Sequence, residues 1–89
     1  MQVIDRQTVA EKLIGENLSE LHRVRERIRI YEKKYGMKLE QFRERIEQEE
    51  ENFEHFDDYI DWKAAETWRD EIETRIEELR NGAFRVVGC

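Results

Sequence analysis

The apolar side chains in the first third of the sequence recur at steps of three and four residues. They are Ile14, Leu18, Leu21, Val24, Ile28, Tyr31 and Tyr35. This spacing places them on one face of a helix. Asp5 is a suitable N-cap, and Gly36 suits the left-handed position that follows a helix C-terminus. The pattern predicts a first helix over residues 5–35, roughly 45 Å long at 1.5 Å per residue.

A second and shorter helix is predicted over residues 39–51. Its apolar positions are Leu39, Phe42, Ile46 and then Phe53. The acidic run over residues 49–51 brings like charges together, and Asn52 is a weak helix former. We therefore expect the backbone to fray around residues 50–54.

The third predicted helix spans residues 57–81. Asp57 or Asp58 can serve as its N-cap, and Asn81 followed by Gly82 ends it. Its apolar positions are Tyr59, Ile60, Trp62, Ala65, Trp68, Ile72, Ile76 and Leu79. These positions again recur mostly at helical spacing.

The last seven residues, 83–89, follow a different pattern. In an extended conformation Phe84 and Val86 lie on one face, and Arg85 and Val87 lie on the other. The sequence offers this segment no partner strand of its own. We expect an extended, partner-binding tail that can add a strand to the edge of another protein's sheet.

The predicted fold class is all-α. Residues 1–82 form a single domain, a long antiparallel helical hairpin or coiled coil with a short middle helix. A hairpin covers only one side of each helix, so we expect another chain to cover the remaining apolar side chains. Two kinds of closure remain open at this point: a homodimer with four long helices, and docking on a different protein.

The composition excludes several classes of protein. The 89 residues include no proline and a single cysteine, Cys89, which cannot form an internal disulfide. There is no apolar run of about 18 residues and no basic, apolar start typical of a secretory signal. The sequence therefore predicts a cytoplasmic protein that does not associate with membranes.

Charge is distributed unevenly along the chain. Residues 1–35 carry eight basic and six acidic side chains, whereas residues 36–89 carry eight basic and sixteen acidic ones. An acidic segment repels nucleic acid and attracts a basic protein. The two halves of the chain can also pair with each other.

Four arginines at steps of two in the first helix are candidate phosphate contacts. They are Arg23, Arg25, Arg27 and Arg29. On a helix Arg23 and Arg27 share one face and Arg25 and Arg29 share another, so they surround the helix as a collar. No known DNA-binding motif accompanies them, which makes DNA the less favoured partner.

Residues suited to catalysis or metal binding are few. His55 near three aspartates, and His22 near Glu26, lack the repeated Glu-x-x-His pattern of di-metal bundles. Ser19 has no base at a fixed spacing, and no glycine-rich phosphate loop is present. We therefore expect no enzymatic activity, no metal and no cofactor.

The two tryptophans suggest a binding surface. Trp62 and Trp68 are six residues apart, so on a helix their side chains point in directions about 120° apart. Either a wide core face holds both, or one of them, together with Tyr59, anchors a partner, since Trp and Tyr are common at interface hot spots.

Three segments resemble a known group of proteins. They are Tyr35-Gly36-Met37, then Leu39-Glu40-Gln41-Phe42, and, after an acidic stretch, Asp58-Tyr59-Ile60-Asp61-Trp62-Lys63-Ala64. Together they resemble the small helical-hairpin antitoxins of prokaryotic, archaeal-type toxin–antitoxin pairs, of the TumA-like kind. The resemblance covers roughly residues 20–80 and does not extend to the tail.

The resemblance implies neutralisation of a cognate basic, ribonuclease-like toxin by direct binding. On this hypothesis the tail docks on the toxin, three aromatic residues build the interface between helices or chains, and acids over 47–61 supply charge complementarity. The tail residues are Phe84, Val86 and Val87; the aromatic residues are Tyr59, Trp62 and Trp68. The alternatives are a self-assembling coiled-coil scaffold and, less favoured, a DNA-associated regulator.

Overall fold

A computed structural model describes residues 6–82, which form three α-helices. Helix α1 spans Arg6–Tyr35, α2 spans Leu39–Gln48 and α3 spans Phe53–Arg80. The predicted all-α class is confirmed over this part of the chain, which contains no strand. The predicted N-cap Asp5 and the predicted extended tail lie outside the described residues.

Helices α1 and α3 pack against each other in antiparallel orientation. At one end the Arg6 guanidinium donates a 2.6 Å hydrogen bond to the carbonyl oxygen of Gly82. At the other end Lys34 Nζ lies 2.7 Å from Asp58 Oδ2. The predicted hairpin is therefore the arrangement of the long helices, and α2 packs against α3 near the end where α1 stops.

Gly36 ends α1 as the sequence predicts. Its φ of 67° is in the left-handed region, and its N–H donates a 2.7 Å hydrogen bond to the carbonyl of Glu32. Lys33 and Lys34 lie in the last turn, where cations interact favourably with the helix dipole. This φ is unfavourable for residues that carry a Cβ atom, so glycine is the preferred residue at this position.

Alanine should have opposite effects at Gly15, inside α1, and at Gly36, directly after it. Gly36→Ala should lower the free energy of unfolding by about 1–2 kcal/mol because alanine is strained at positive φ. Gly15→Ala in α1 should raise it by about 0.5–1 kcal/mol, since a Cβ there meets no atom within 4 Å. Urea unfolding followed by circular dichroism measures both. A shift of the same sign in the two variants would contradict the assignment of Gly36 to the helix stop.

The boundary between α2 and α3 differs from the prediction. Helix α2 ends at Gln48 instead of residue 51, and α3 begins at Phe53 instead of residue 57. The interruption comprises residues 49–52, which are the acidic run and Asn52. Phe53, which the pattern assigned to the second helical stretch, is the first residue of α3.

Asn52, and neither Asp57 nor Asp58, is the N-cap of α3. Its side chain accepts a 3.1 Å hydrogen bond from the backbone N–H of His55. A short polar side chain that competes for backbone N–H groups weakens a helix interior but stabilises a helix start. The property that made Asn52 a weak helix former therefore sets the boundary.

The core lies along the contact between α1 and α3. Among residues 6–82 nine apolar side chains are buried: Leu21, Val24, Ile28, Phe42, Trp62, Ala65, Ile72, Ile76 and Leu79. Phe42 is the only one of them contributed by α2, and it thickens the core at the end where α1 stops. None of the three described helices has an apolar stretch long enough to cross a membrane.

Candidate protein-binding surface

Trp62 lies at the centre of an aromatic cluster between the three helices. Its ring stacks at 5.7 Å on Tyr31 and at 6.2 Å on Tyr35, and lies 5.4 Å from Phe42. The side chain is fully buried, and its Nε1–H has no acceptor within the described residues. Of the two positions that the hypothesis allowed for Trp62, between helices or between chains, the structure shows the first.

The other two predicted aromatic anchors occupy different environments. Tyr59 is half-buried and packs against the core. Trp68 is 45% exposed. The wide core face that would bury both tryptophans is therefore not formed within the described residues, and Trp68 is available to a partner.

Two aspartates of α3 bind the basic and phenolic side chains of α1. Arg27 forms two hydrogen bonds to Asp61, of 2.9 and 2.7 Å, and the Tyr31 hydroxyl donates to the same carboxylate. One turn away, Asp58 accepts from Lys34 and from the Tyr35 hydroxyl. These bonds set the alignment of α1 against α3 beside the aromatic cluster.

The same contacts shift the pKa values of the groups involved. Burial and the hydrogen bond to Asp61 raise the pKa of Tyr31 to about 12. Burial alone would raise the pKa of Asp58, but the hydrogen bonds from Lys34 and Tyr35 outweigh it and lower that pKa. Asp58 therefore stays a carboxylate and Tyr31 a protonated donor at neutral pH.

Most of the predicted arginine collar is engaged within the chain. Arg25 pairs with Glu73 of α3 at 3.1 Å, and Arg29 pairs with Glu26 at 2.9 Å. Together with Arg27, three of the four arginines have a carboxylate partner, and Arg23 has none among the described residues. The basic and acidic halves of the sequence thus pair with each other, and phosphate contact by the collar stays a prediction.

A second row of apolar side chains runs along the solvent-facing side of α3. We call it the outer stripe; its members are Phe53, Phe56, Ile60, Ala64 and Trp68. The exposed fractions are 72% for Phe53, 51% for Phe56 and for Ile60, and 45% for Trp68. Steps of three and then four residues keep these side chains adjacent along the helix. Contiguous exposed apolar rows are frequent at protein interaction sites, which makes the outer stripe the candidate binding surface.

The apolar pattern of the sequence did not predict the outer stripe as a unit. A third helix that begins at residue 57 includes Ile60 and Trp68 but leaves out Phe53 and Phe56. The signal was present in the spacing 53, 56, 60, 64 and 68. Recognising Asn52 as the cap would have revealed it.

The outer stripe begins at a groove between the end of α2 and the start of α3, which we call the corner groove. It encloses about 200 Å³ and is lined by Ile46, Glu49, Glu50, Glu51, Asn52, Phe53 and Phe56. Three of its residues are apolar and three are acidic. The groove therefore combines exposed aromatic rings with negative charge.

Three predicted partner-binding residues, Phe84, Val86 and Val87, lie outside the described residues, and their role stays a prediction.

His55 binds Glu49, with Nδ1 2.7 Å from Oε1, instead of joining a cluster with aspartates. Over residues 6–82 no group of three or more His, Cys, Asp or Glu side chains is placed to hold a metal ion.

No family model, curated protein or solved structure matches this chain.

Proposed function

We propose that the chain is a non-catalytic protein-binding module, a cytoplasmic antitoxin that neutralises a cognate basic, ribonuclease-like toxin by direct binding. The observation that carries the proposal is the outer stripe of α3. Burying Phe53, Phe56, Ile60 and Trp68 against a partner would remove large aromatic and aliphatic surfaces from water. Aromatic side chains of this kind are frequent hot spots of protein interfaces.

Charge supports a basic partner. The basic groups of α1 that contact α3, among them Arg25, Arg27 and Lys34, already bind acids of the same chain. The remaining excess of acid lies over residues 36–89. Long-range attraction of a basic protein speeds its association and disfavours nucleic acid as the ligand.

The proposal predicts that a small basic reading frame, which encodes the toxin, lies beside the gene of this chain, and the test uses its product. This product should arrest growth of a bacterial host, and co-expression of this chain should restore growth. The double variant Phe56→Ser, Ile60→Ser should bind the product at least 100-fold more weakly, because both side chains would leave a hydrophobic interface. Growth and the dissociation constant of the purified pair are the measurements.

Ile30→Ser is the matched control. Ile30 is 63% exposed on α1, away from the outer stripe, so its replacement should leave rescue intact. Circular dichroism checks that the variants fold. Absence of such a reading frame, or full rescue by the double variant, contradicts the proposal.

A self-assembling scaffold is the second candidate, because a second copy could cover the same stripe. Light scattering on the isolated chain separates the two functions. If the chain is a monomer at micromolar concentration, the outer stripe is free to bind a different protein. If the chain is a stable dimer and the double variant is a monomer, self-assembly is favoured.

A further inference from the structure

The corner groove has the size of a single side chain. Its volume of about 200 Å³ is below the roughly 300–1,000 Å³ of pockets for drug-sized ligands. It exceeds the roughly 150 Å³ of an apolar cavity that accepts benzene. One leucine, methionine or phenylalanine side chain of a protein partner is therefore the occupant that its size favours.

The carboxylates of the groove differ in whether they have an ion-pair or hydrogen-bond partner. Glu49 is held by His55 at 2.7 Å and by Arg45 at 3.9 Å. Glu50 and Glu51 have neither an ion pair nor a side-chain hydrogen bond among residues 6–82, and the same holds for Asp57 one turn into α3. Two unpaired carboxylates, Glu50 and Glu51, thus line the groove beside the exposed rings of Phe53 and Phe56 and the half-buried Ile46, and Asp57 follows Phe56 directly in the sequence.

A second copy of the chain fits this groove poorly. In a two-fold symmetric contact through the start of α3, the carboxylates Glu50, Glu51 and Asp57 of one copy would face the same carboxylates of the other. Like charges brought together across an interface are unfavourable. The groove therefore favours a partner of opposite charge over a copy of itself.

We propose that the corner groove binds a basic amphipathic segment of the partner protein, which inserts one large apolar side chain between Ile46, Phe53 and Phe56. Lysine or arginine side chains on either side of that residue contact Glu50, Glu51 and Asp57. The rest of the segment's apolar face continues along the outer stripe toward Trp68. This inference rests on the proposed protein-binding function and names the chemistry that the groove recognises.

The test uses the full chain and two synthetic helical peptides of equal length. Both carry leucines at helical spacing; the polar positions are lysine in one peptide and glutamate in the other. The lysine peptide should bind and the glutamate peptide should not. Amide chemical shift changes in the NMR spectrum should cluster at residues 46–57 and extend along the outer stripe.

Charge variants separate a specific site from general attraction. The double variant Glu50→Gln, Glu51→Gln should weaken binding of the lysine peptide roughly three- to ten-fold, as expected for two solvent-exposed ion pairs. Phe56→Ala should weaken it further through loss of apolar contact. Glu77→Gln, Glu78→Gln is the matched control: it removes the same charge at the far end of α3 and should change affinity less than two-fold.

Several outcomes would overturn the inference. Equal weakening by the two double variants would show attraction by net charge alone, and equal binding of both peptides would exclude charge recognition. A dimer that Phe56→Ala dissociates would assign the groove to a second copy. If growth rescue depends on Phe56 and Ile60 but not on Glu50 and Glu51, the proposed function stands and the groove inference is wrong.

Discussion

Replacing Trp62 by alanine is expected to lower the free energy of unfolding by about 3–5 kcal/mol. Trp62 is fully buried, and Tyr31, Tyr35 and Phe42 surround its ring. Removal of the indole ring would leave a cavity where all three helices meet. Helices α1 and α3 cannot fill this cavity unless α2 also moves. Because small domains are stable by only about 5–15 kcal/mol, much of this protein's stability would be lost.

Trp68→Ala is the matched control for this prediction. It removes the same side chain from the same helix, but Trp68 is 45% exposed, so the expected change is below about 1 kcal/mol. Urea unfolding followed by far-ultraviolet circular dichroism measures both variants. Equal losses would contradict the central position assigned to Trp62.

Trp62→Phe refines the same experiment. Phenylalanine fills part of the space and removes the Nε1–H, which has no acceptor among the described residues. Because an unsatisfied buried donor is unfavourable, its removal offsets part of the lost packing. We expect the phenylalanine variant to lose clearly less stability than the alanine variant.

Replacing Phe42 by alanine is expected to release α2 from the hairpin. Phe42 is the one fully buried side chain that this ten-residue helix contributes, and it packs on Tyr35 at 4.1 Å and on Trp62 at 5.4 Å. Isolated helices shorter than about 12–15 residues are marginal in water, so α2 depends on docking. Without Phe42 its backbone should open while α1 and α3 remain paired.

Amide hydrogen exchange distinguishes this local opening from global unfolding. Amides over residues 39–48 should lose most of their protection, whereas those at the centres of α1 and α3 should keep theirs. The free energy of unfolding should fall by about 3 kcal/mol, at the low end for a buried phenylalanine because α2 can open locally. Phe53→Ala, at a side chain 72% exposed, is the control and should leave exchange in α2 unchanged. Unaltered protection of α2 in the Phe42 variant would show that other contacts hold this helix.

The connection between α2 and α3 explains why the helix boundary was predicted incorrectly. The acidic run correctly indicated an interruption, and Gly36 correctly indicated the end of α1. Asp57 and Asp58 looked like caps because aspartate is favoured at a helix start. Asp58 instead accepts hydrogen bonds from Lys34 and Tyr35, contacts that only the packed helices create.

The candidate binding surface was predictable only in part. The sequence indicated an apolar surplus, an acidic half and an exposed tryptophan as one alternative. It could not tell which of Trp62 and Trp68 is buried, because both belong to the apolar pattern of α3 while their side chains point about 120° apart. Nor could it tell that the arginines of α1 are engaged, since ion pairs between α1 and α3 depend on how the two helices align.

The sequence by itself determined that residues 6–82 form an all-α fold, where α1 ends, and that two long helices share a core. These properties follow from the spacing of apolar residues and from the position of a glycine after a helical pattern, and both are visible in short stretches of sequence. Only the tertiary structure decided that Trp62 is interior, that Asp58 and Asp61 bind α1, and that Phe53, Phe56, Ile60 and Trp68 remain exposed. Burial is a property of the packed helices, because a side chain loses its water only when residues distant in sequence come to cover it.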